Sequence, residues 1–398
     1  MENTYKYVIV GGGMTAAAAI EGIREVDSSG SIGLIGAEGH PPYDRPPLSK
    51  GLWKGKPLEG IWRKVEGPGV TLHPGRTVQA IDPLKKQVRD DQGATYSYSK
   101  LLLATGGVTR TLPFGGDRVI YFRTLDDYQR LRALTGQDRR FVVIGGGFIG
   151  SEVAAALAMN GQHVTLVFPD ASIGSRLFPA DLAGFLNDYY REKGVEVRPG
   201  QTVVKIEEHG DKLTLTLREA DTGAEQTLEA DGVVAGIGVT PNVELARAAG
   251  LALENGIKVD PSLRTSQSDI FAAGDVASFA NPALGERLRV EHEDNANTMG
   301  KMAGQSMAGK TVSYDHLPSF YSDLFDLGFE AVGTVDSRLE TVADWKEPFR
   351  EGVVYYLKDA RVRGVLLWNV WDQVDAARRL IAEPGPFQAA NLKGRLPT

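Results

Sequence analysis

Two short glycine-rich stretches, GGGMTA at 11–16 and GGGFIG at 145–150, constrain this chain more than any other feature. Each follows a short apolar run, residues 7–10 and 141–144, and opens a helical stretch rich in small residues, 16–26 and 151–159. A second apolar run then returns, at 31–35 and 163–168. In the pattern G-x-G-x-x-G/A the first glycine permits a tight turn. The second lets the backbone approach a pyrophosphate, and the third position lets helix and strand pack closely. The phosphates rest on the helix N-terminus. Gly11, Gly13 and Ala16 fill the pattern, with Met14 and Thr15 between them; Gly145, Gly147 and Gly150 fill it again, around Phe148 and Ile149. An acid follows each at a spacing from which a carboxylate reaches a ribose diol: Glu38, 22 positions after Ala16, and Asp170, 20 positions after Gly150. Two such units read as an α/β chain with two dinucleotide sites, one for FAD and one for NAD(H).

Composition removes several alternatives. The 398 residues suggest two to three domains. A net charge of −7 argues against nucleic acid, which wants a basic patch. The chain has no cysteine, which excludes disulfide or peroxide reduction through redox thiols, and cysteine-held metal or iron–sulfur sites. Six scattered histidines show no metal spacing, so no metal site is expected. No stretch reaches about 18 consecutive apolar residues, so no membrane span is expected. No signal peptide is read at the start, and the cytoplasm is the expected location. A membrane-bound quinone-linked dehydrogenase would want an amphipathic C-terminal anchor; EPGPFQAANLKGRLPT, with its three prolines, does not supply one.

The rest of the chain punctuates the two units. LLLATGG at 101–107 and DIFAAGD at 269–275 are apolar runs ending in small residues, the second with Asp275 after a glycine. The polar stretch 196–231, with Leu213, Leu215 and Leu217 alternating, reads as a strand meander. After Ser313 aromatics become dense in FYSDLFDLGF, VVYYL and LLWNVW, a third region of strands with a helix near 375–382. The stretch YDRPPLSKGLW at 43–53 holds Arg45 and Lys50 around two prolines that cannot sit inside a helix or a central strand.

These elements carry a resemblance. The ATG and GD elements resemble those of two-dinucleotide flavoproteins. YDRPPLSK is similar to the loop of ferredoxin and rubredoxin reductases and of apoptosis-inducing factor. FYSDLFDLGFEAVG, GVVYYLKDARVRGVLLWNVWDQVDAARRLI and RVEHEDNANTMGKMAGQSMAG look like the apoptosis-inducing factor group. The implied fold is two Rossmann-like domains, an FAD domain (1–113 and 239–314) split by an inserted NAD domain (114–238), plus an α+β C-terminal domain (315–398). The chain departs from the pattern in three places. It shows no mitochondrial presequence. It has no long insertion between Trp345 and Gly352, and Tyr321 stands where a tryptophan is usual.

The resemblance implies the site residue by residue. Gly11, Gly13, Met14, Thr15, Ala16, Glu38, Thr105, Gly106 and Asp275 would lie along the FAD, Asp275 on its ribityl chain and Val78 against its adenine. Arg45 and Arg123 would contact the FAD, and Lys50 would stand near flavin N5, paired with Glu152. Glu291 and His292 would lie where nicotinamide meets flavin. Gly147, Phe148, Ile149, Gly150 and Gly238 would contact the nicotinamide nucleotide and Asp170 its ribose. Tyr321, Glu330 and Asn369 would reach the site from the C-terminal domain. Plainer readings stand beside these. Glu291, Glu293 and Asp294 suit a helix N-terminus, Glu152 suits an exposed helix face, and Tyr321 and Trp368 suit a core. In the implied reaction hydride passes from NADH to flavin N5, with Lys50, Glu152 and His292 nearest the chemistry. Two functions follow: an NADH oxidoreductase serving a ferredoxin, rubredoxin, quinone or artificial acceptor, or an NADH sensor whose long-lived reduced flavin–NAD charge-transfer complex alters conformation or homodimerisation. Asp170 argues for NADH over NADPH.

Overall fold

The computed structural model describes residues 2–397, which divide into two compact units. The first takes residues 2–44, 57–108 and 240–320. The second takes 45–56, 109–239 and 321–397. The region expected as a separate C-terminal domain has its own sheet but groups with 109–239, and so does the double-proline loop.

In the first unit the central strand Glu2–Val10 pairs in parallel with Ile32–Ile35 on one side and Thr95–Leu103 on the other. Val70–His73 and Ile270–Ala272 extend the parallel set outward. Strands of this kind are covered on both faces and read as continuous apolar runs, and Val8, Ile9, Leu101, Leu102 and Leu103 are fully buried. Helix Met14–Arg24 leaves the central strand and lies against helix Glu293–Met307. Their approach is set by small residues. A Cβ on Gly22 would lie 1.9 Å from the Lys301 carbonyl oxygen, one on Gly304 2.0 Å from that of Ala19, and one on Gly300 2.4 Å from that of Thr15.

The second unit repeats the plan. Its parallel sheet runs Val195–Pro199, His163–Phe168, Arg140–Ile144, Gly232–Ala235, Val119–Tyr121. The expected meander is Gln201–His209, Lys212–Glu219 and Glu225–Ala230, with Leu213, Leu215 and Leu217 buried. Residues 195–199, read from the sequence as largely part of that meander, are instead the edge of the parallel sheet, because Val195 and Val197 turn into its core. The C-terminal strands form a five-stranded antiparallel sheet on which helix Val374–Ala382 packs. Strands Glu340–Glu347 and Glu351–Lys358 are joined by the three residues 348–350. That turn is clasped: Trp368 Nε1 donates to the Phe349 carbonyl at 2.9 Å and Asn369 Nδ2 to the Arg350 carbonyl at 2.9 Å. Among the described residues no helix is long and apolar enough to cross a membrane.

Candidate functional site

Both glycine loops are built alike. Gly11 has φ +119°, and a Cβ there would sit 2.1 Å from the Ala104 carbonyl oxygen; Gly145 has φ +113°, and a Cβ would sit 2.4 Å from that of Gly236. The first glycine of each loop thus lets the strand turn against the backbone end of its neighbour. The second glycine differs: a Cβ on Gly13 or Gly147 would meet no protein atom within 4 Å. Each of these glycines caps its helix without a side-chain hydrogen bond, and neither helix carries an acid in its first turn. The first backbone N–H groups of a helix have no partner within it and suit a pyrophosphate, and the open space at Gly13 and Gly147 leaves room for one, so both loops fit the dinucleotides expected of them. At the third position Ala16 is buried, while a Cβ on Gly150 would strike Gly145.

In the first unit Met14 opens the helix, and its carbonyl accepts from Arg63 at 3.4 Å. Thr15 packs on Gly274, where a Cβ would lie 2.3 Å from the threonine Oγ1. Glu38 accepts from the Tyr43 hydroxyl, and its own carbonyl accepts from Gly75 N–H at 2.9 Å. Thr105 Oγ1 donates to the Asn242 carbonyl at 2.8 Å, and the Gly106 carbonyl accepts from Asn242 N–H at 2.9 Å. Asp275 lies in the single turn Gly274–Val276, whose geometry depends on the positive φ of Gly274. Val78 is a core residue, buried with the sheet. Glu291 is paired with Arg289 at 2.7 Å. His292 is the N-cap of helix Glu293–Met307 and stacks on Phe320, ring centroids 4.4 Å apart. Burial pushes its imidazole down to about 4, against the opposing pull of Asp275 and Asp294.

In the second unit Lys50, Glu152 and Tyr321 come together. Lys50 Nζ is 2.7 Å from Glu152 Oε1 and 5.1 Å from the centre of the Tyr321 ring. Glu152 is no exposed helix acid: its side chain is 3% exposed. Two hydroxyls that the sequence did not single out complete it. Ser49 Oγ donates to Glu152 Oε2 and Ser322 Oγ to Oε1, each at 2.6 Å. Arg45 donates to the Arg123 carbonyl at 2.8 Å, which places these two candidates side by side.

The remaining candidates of this unit divide. Phe148 lies beside Phe329, ring centroids 6.3 Å apart, Ile149 is exposed, and Gly238 has φ +94° with open space at its Cβ position. Asp170 lies 3.5 Å from Arg176. Glu330 Oε2 is buried with no hydrogen-bond partner, and burial first, then Asp372, raises its carboxyl. Asn369 is occupied: its Oδ1 accepts from Gly328 N–H at 2.8 Å while its Nδ2 holds the Arg350 carbonyl. Trp368 is a core aromatic stacked on Phe329. Among the described residues no group of three or more metal-ligating side chains occurs.

Comparison with known proteins agrees with this geometry. The family model described as pyridine nucleotide-disulphide oxidoreductase matches residues 5–300, and that described as apoptosis-inducing factor, mitochondrion-associated, C-term, matches 303–348 and 343–383. The ferredoxin–NAD(+) reductase component of the anthranilate 1,2-dioxygenase system of Burkholderia cepacia is 36% identical, over 97% of both chains. Apoptosis-inducing factor 1, mitochondrial, of Dictyostelium discoideum is 34% identical over 97% of this chain and 80% of its own. The covalent putidaredoxin reductase–putidaredoxin complex contains a chain similar in structure, with TM-score 0.88 and 31% identity over 98% of this chain and 95% of that one. With two dinucleotide loops of one build and whole-length likeness to named reductases, the chain belongs to the pyridine nucleotide-disulphide oxidoreductase family, as an FAD- and NAD(H)-dependent oxidoreductase.

Proposed function

We propose that this chain oxidises NADH and passes the electrons to a small ferredoxin-type protein. The observation that carries the reading is the full-length likeness, 97% of both chains, to a reductase whose printed name is ferredoxin–NAD(+) reductase. Bound FAD supplies the hydride acceptor, and the protein supplies position and charge. The first glycine loop, with Glu38 and Asp275, would hold the FAD, and the second, with Asp170, would hold the nicotinamide nucleotide. By its likeness to the family, Lys50 would offer positive charge where negative charge develops on a reduced flavin. Glu152 keeps that ammonium from being an unpaired half-buried cation. His292, the N-cap of helix Glu293–Met307, is kept neutral by burial and so adds no cation to the positive end of that helix, whose first turn carries Glu293 and Asp294. With no cysteine in the chain, electrons leave the flavin without a thiol relay.

The test is direct. The protein is reduced with NADH without oxygen, then mixed with a ferredoxin, a rubredoxin or a quinone, and reoxidation of the flavin is timed. Turnover with an iron–sulfur or rubredoxin acceptor far faster than with quinone or air is the expected result. A reduced complex that survives many minutes in air and reacts with none of the acceptors would overturn the proposal. The sensor reading has no observation behind it.

A further inference from the structure

We infer that Ser322 and Ser49 are positioning residues for the hydride transfer: their hydroxyls share Glu152 with Lys50 and so fix where the ammonium stands. The inference rests on the reading of Lys50 as a neighbour of the flavin.

A carboxylate offers about four lone-pair sites. In this cluster Oε1 accepts from Lys50 and Ser322, and Oε2 from Ser49. The three donors and their shared acceptor come from three segments distant in sequence. Ser49 and Lys50 sit on the loop between the single turns Pro46–Leu48 and Gly51–Lys54. Glu152 is in helix Phe148–Met159, two residues after the last glycine of the nucleotide loop, and Ser322 is in strand Ser319–Leu324. Strand alternation sends adjacent residues to opposite faces. Ser322, fully buried, therefore reaches Glu152, while Tyr321, 40% exposed, offers its ring to Lys50.

The charge balance explains why the hydroxyls matter. A buried carboxylate with one donor draws that donor as close as it can, because the missing hydrogen bonds cost free energy. With two hydroxyls supplying part of the need, the ammonium is held between Glu152 and the Tyr321 face and keeps field to spare for a neighbour. Removing one hydroxyl leaves Lys50 and the other serine to answer for the carboxylate, and draws the ammonium closer to it. Its effect then resembles loss of the lysine charge and is opposite to loss of Glu152.

The experiment uses the full chain loaded with FAD. Midpoint potentials are measured by dye equilibration with xanthine oxidase, and flavin reduction by NADH is followed by stopped flow. The variants are Ser322→Ala, Ser322→Thr, Ser49→Ala and Lys50→Ala. Both alanine variants of serine are expected to lower the potential in the same direction as Lys50→Ala. The change is roughly tenfold in the oxidised-to-reduced ratio at fixed poise, about 30 mV for a two-electron couple. The reduction rate constant falls by a similar factor, while the NADH concentration at half-saturation stays near wild type, and Ser322→Thr restores both. Wild-type potentials in both serine variants, with a shifted Lys50→Ala, would overturn the inference and leave the role of Lys50 standing. An unshifted Lys50→Ala would remove the reading beneath it. If Ser322→Ala does not yield folded protein, Ser49→Ala decides.

Discussion

Arg176 Nη2 stands 3.5 Å from Asp170 Oδ1, and both side chains are open to solvent, 81% and 38%. Asp170 by itself would oppose the 2′-phosphate of NADPH. In a half-screened site at about 5 Å, each unit of like charge costs about 3 kcal/mol; in water it costs less than about 1 kcal/mol. The exposure of this pair favours the lower figure, and Arg176 offers the phosphate a partner. NADH is expected to be preferred by about tenfold or less. Arg176→Ala should widen the preference and Asp170→Ala narrow it. The check is kcat/KM for flavin reduction with each nucleotide; a wild-type preference well above a hundredfold would contradict it.

Lys50 and Glu152 should move the flavin potential in opposite directions. Lys50→Ala lowers it and Glu152→Ala raises it, each by about 30 mV if the electrostatic change is about 1.4 kcal/mol. Removing one partner of a buried ion pair costs about 3–5 kcal/mol of stability. The two serine hydroxyls still serve Glu152 in Lys50→Ala, so its loss should fall at the low end. Potentials and denaturant midpoints measured on the same preparations test both statements, and shifts of one sign in the two variants would refute the first.

His292 sets a pH dependence of stability. Its folded-state value, depressed to about 4 by burial, lies below the ordinary 6.5. Between those values the unfolded chain binds a proton that the folded chain does not, so stability falls as pH drops from about 6.5 towards 4. Above pH 6.5 the group contributes no slope. Thermal midpoints of wild type and His292→Asn across this window should diverge in slope below pH 6.5 and run parallel above it. The same depression means that His292 gives no break near pH 6.5 in the rate of flavin reduction.

Two glycines separate fold from cofactor. Alanine in place of glycine inside a helix ordinarily stabilises by about 1 kcal/mol. Gly22→Ala should do the reverse, because its Cβ would lie 1.9 Å from a backbone oxygen of the facing helix; a loss of about 1–3 kcal/mol is expected from overpacking. Gly13→Ala meets no protein atom within 4 Å. Its apo stability should stay near wild type while FAD affinity falls. Flavin retention on gel filtration, set against the melting of apo protein, distinguishes the two.

How much of this was legible in the sequence depended on distance along the chain. The two glycine loops, the strands that feed them and the turn at Gly274–Val276 could be read because local backbone demands write themselves into local sequence. Asp170 and Arg176 are six positions apart, and their encounter was foreseeable. The Lys50–Glu152 pair came from likeness to a family, since nothing local joins residues that far apart. Ser49 and Ser322 escaped notice although both stand inside stretches quoted from the start. A serine carries no mark of its partner until tertiary structure supplies one. Asn369 shows the converse: a polar side chain read as a ligand candidate has its amide spent on the backbone of Gly328 and Arg350. Gly300 and Gly304 lie one helical turn apart, but only the facing backbone explains them.

The clasped turn at 348–350 has an engineering consequence. It joins two neighbouring antiparallel strands at their ends, with Glu347 and Glu351 still in register. The two pieces of the C-terminal family match, 303–348 and 343–383, also meet there. Closing a longer loop costs only about 0.6 kcal/mol for each doubling of its length. The expense of splicing a reporter or an affinity module into this position therefore lies less in the added chain than in the two carbonyl contacts from Trp368 and Asn369 that a guest would displace. A guest that presents two carbonyls at those positions would let the host sheet keep its grip.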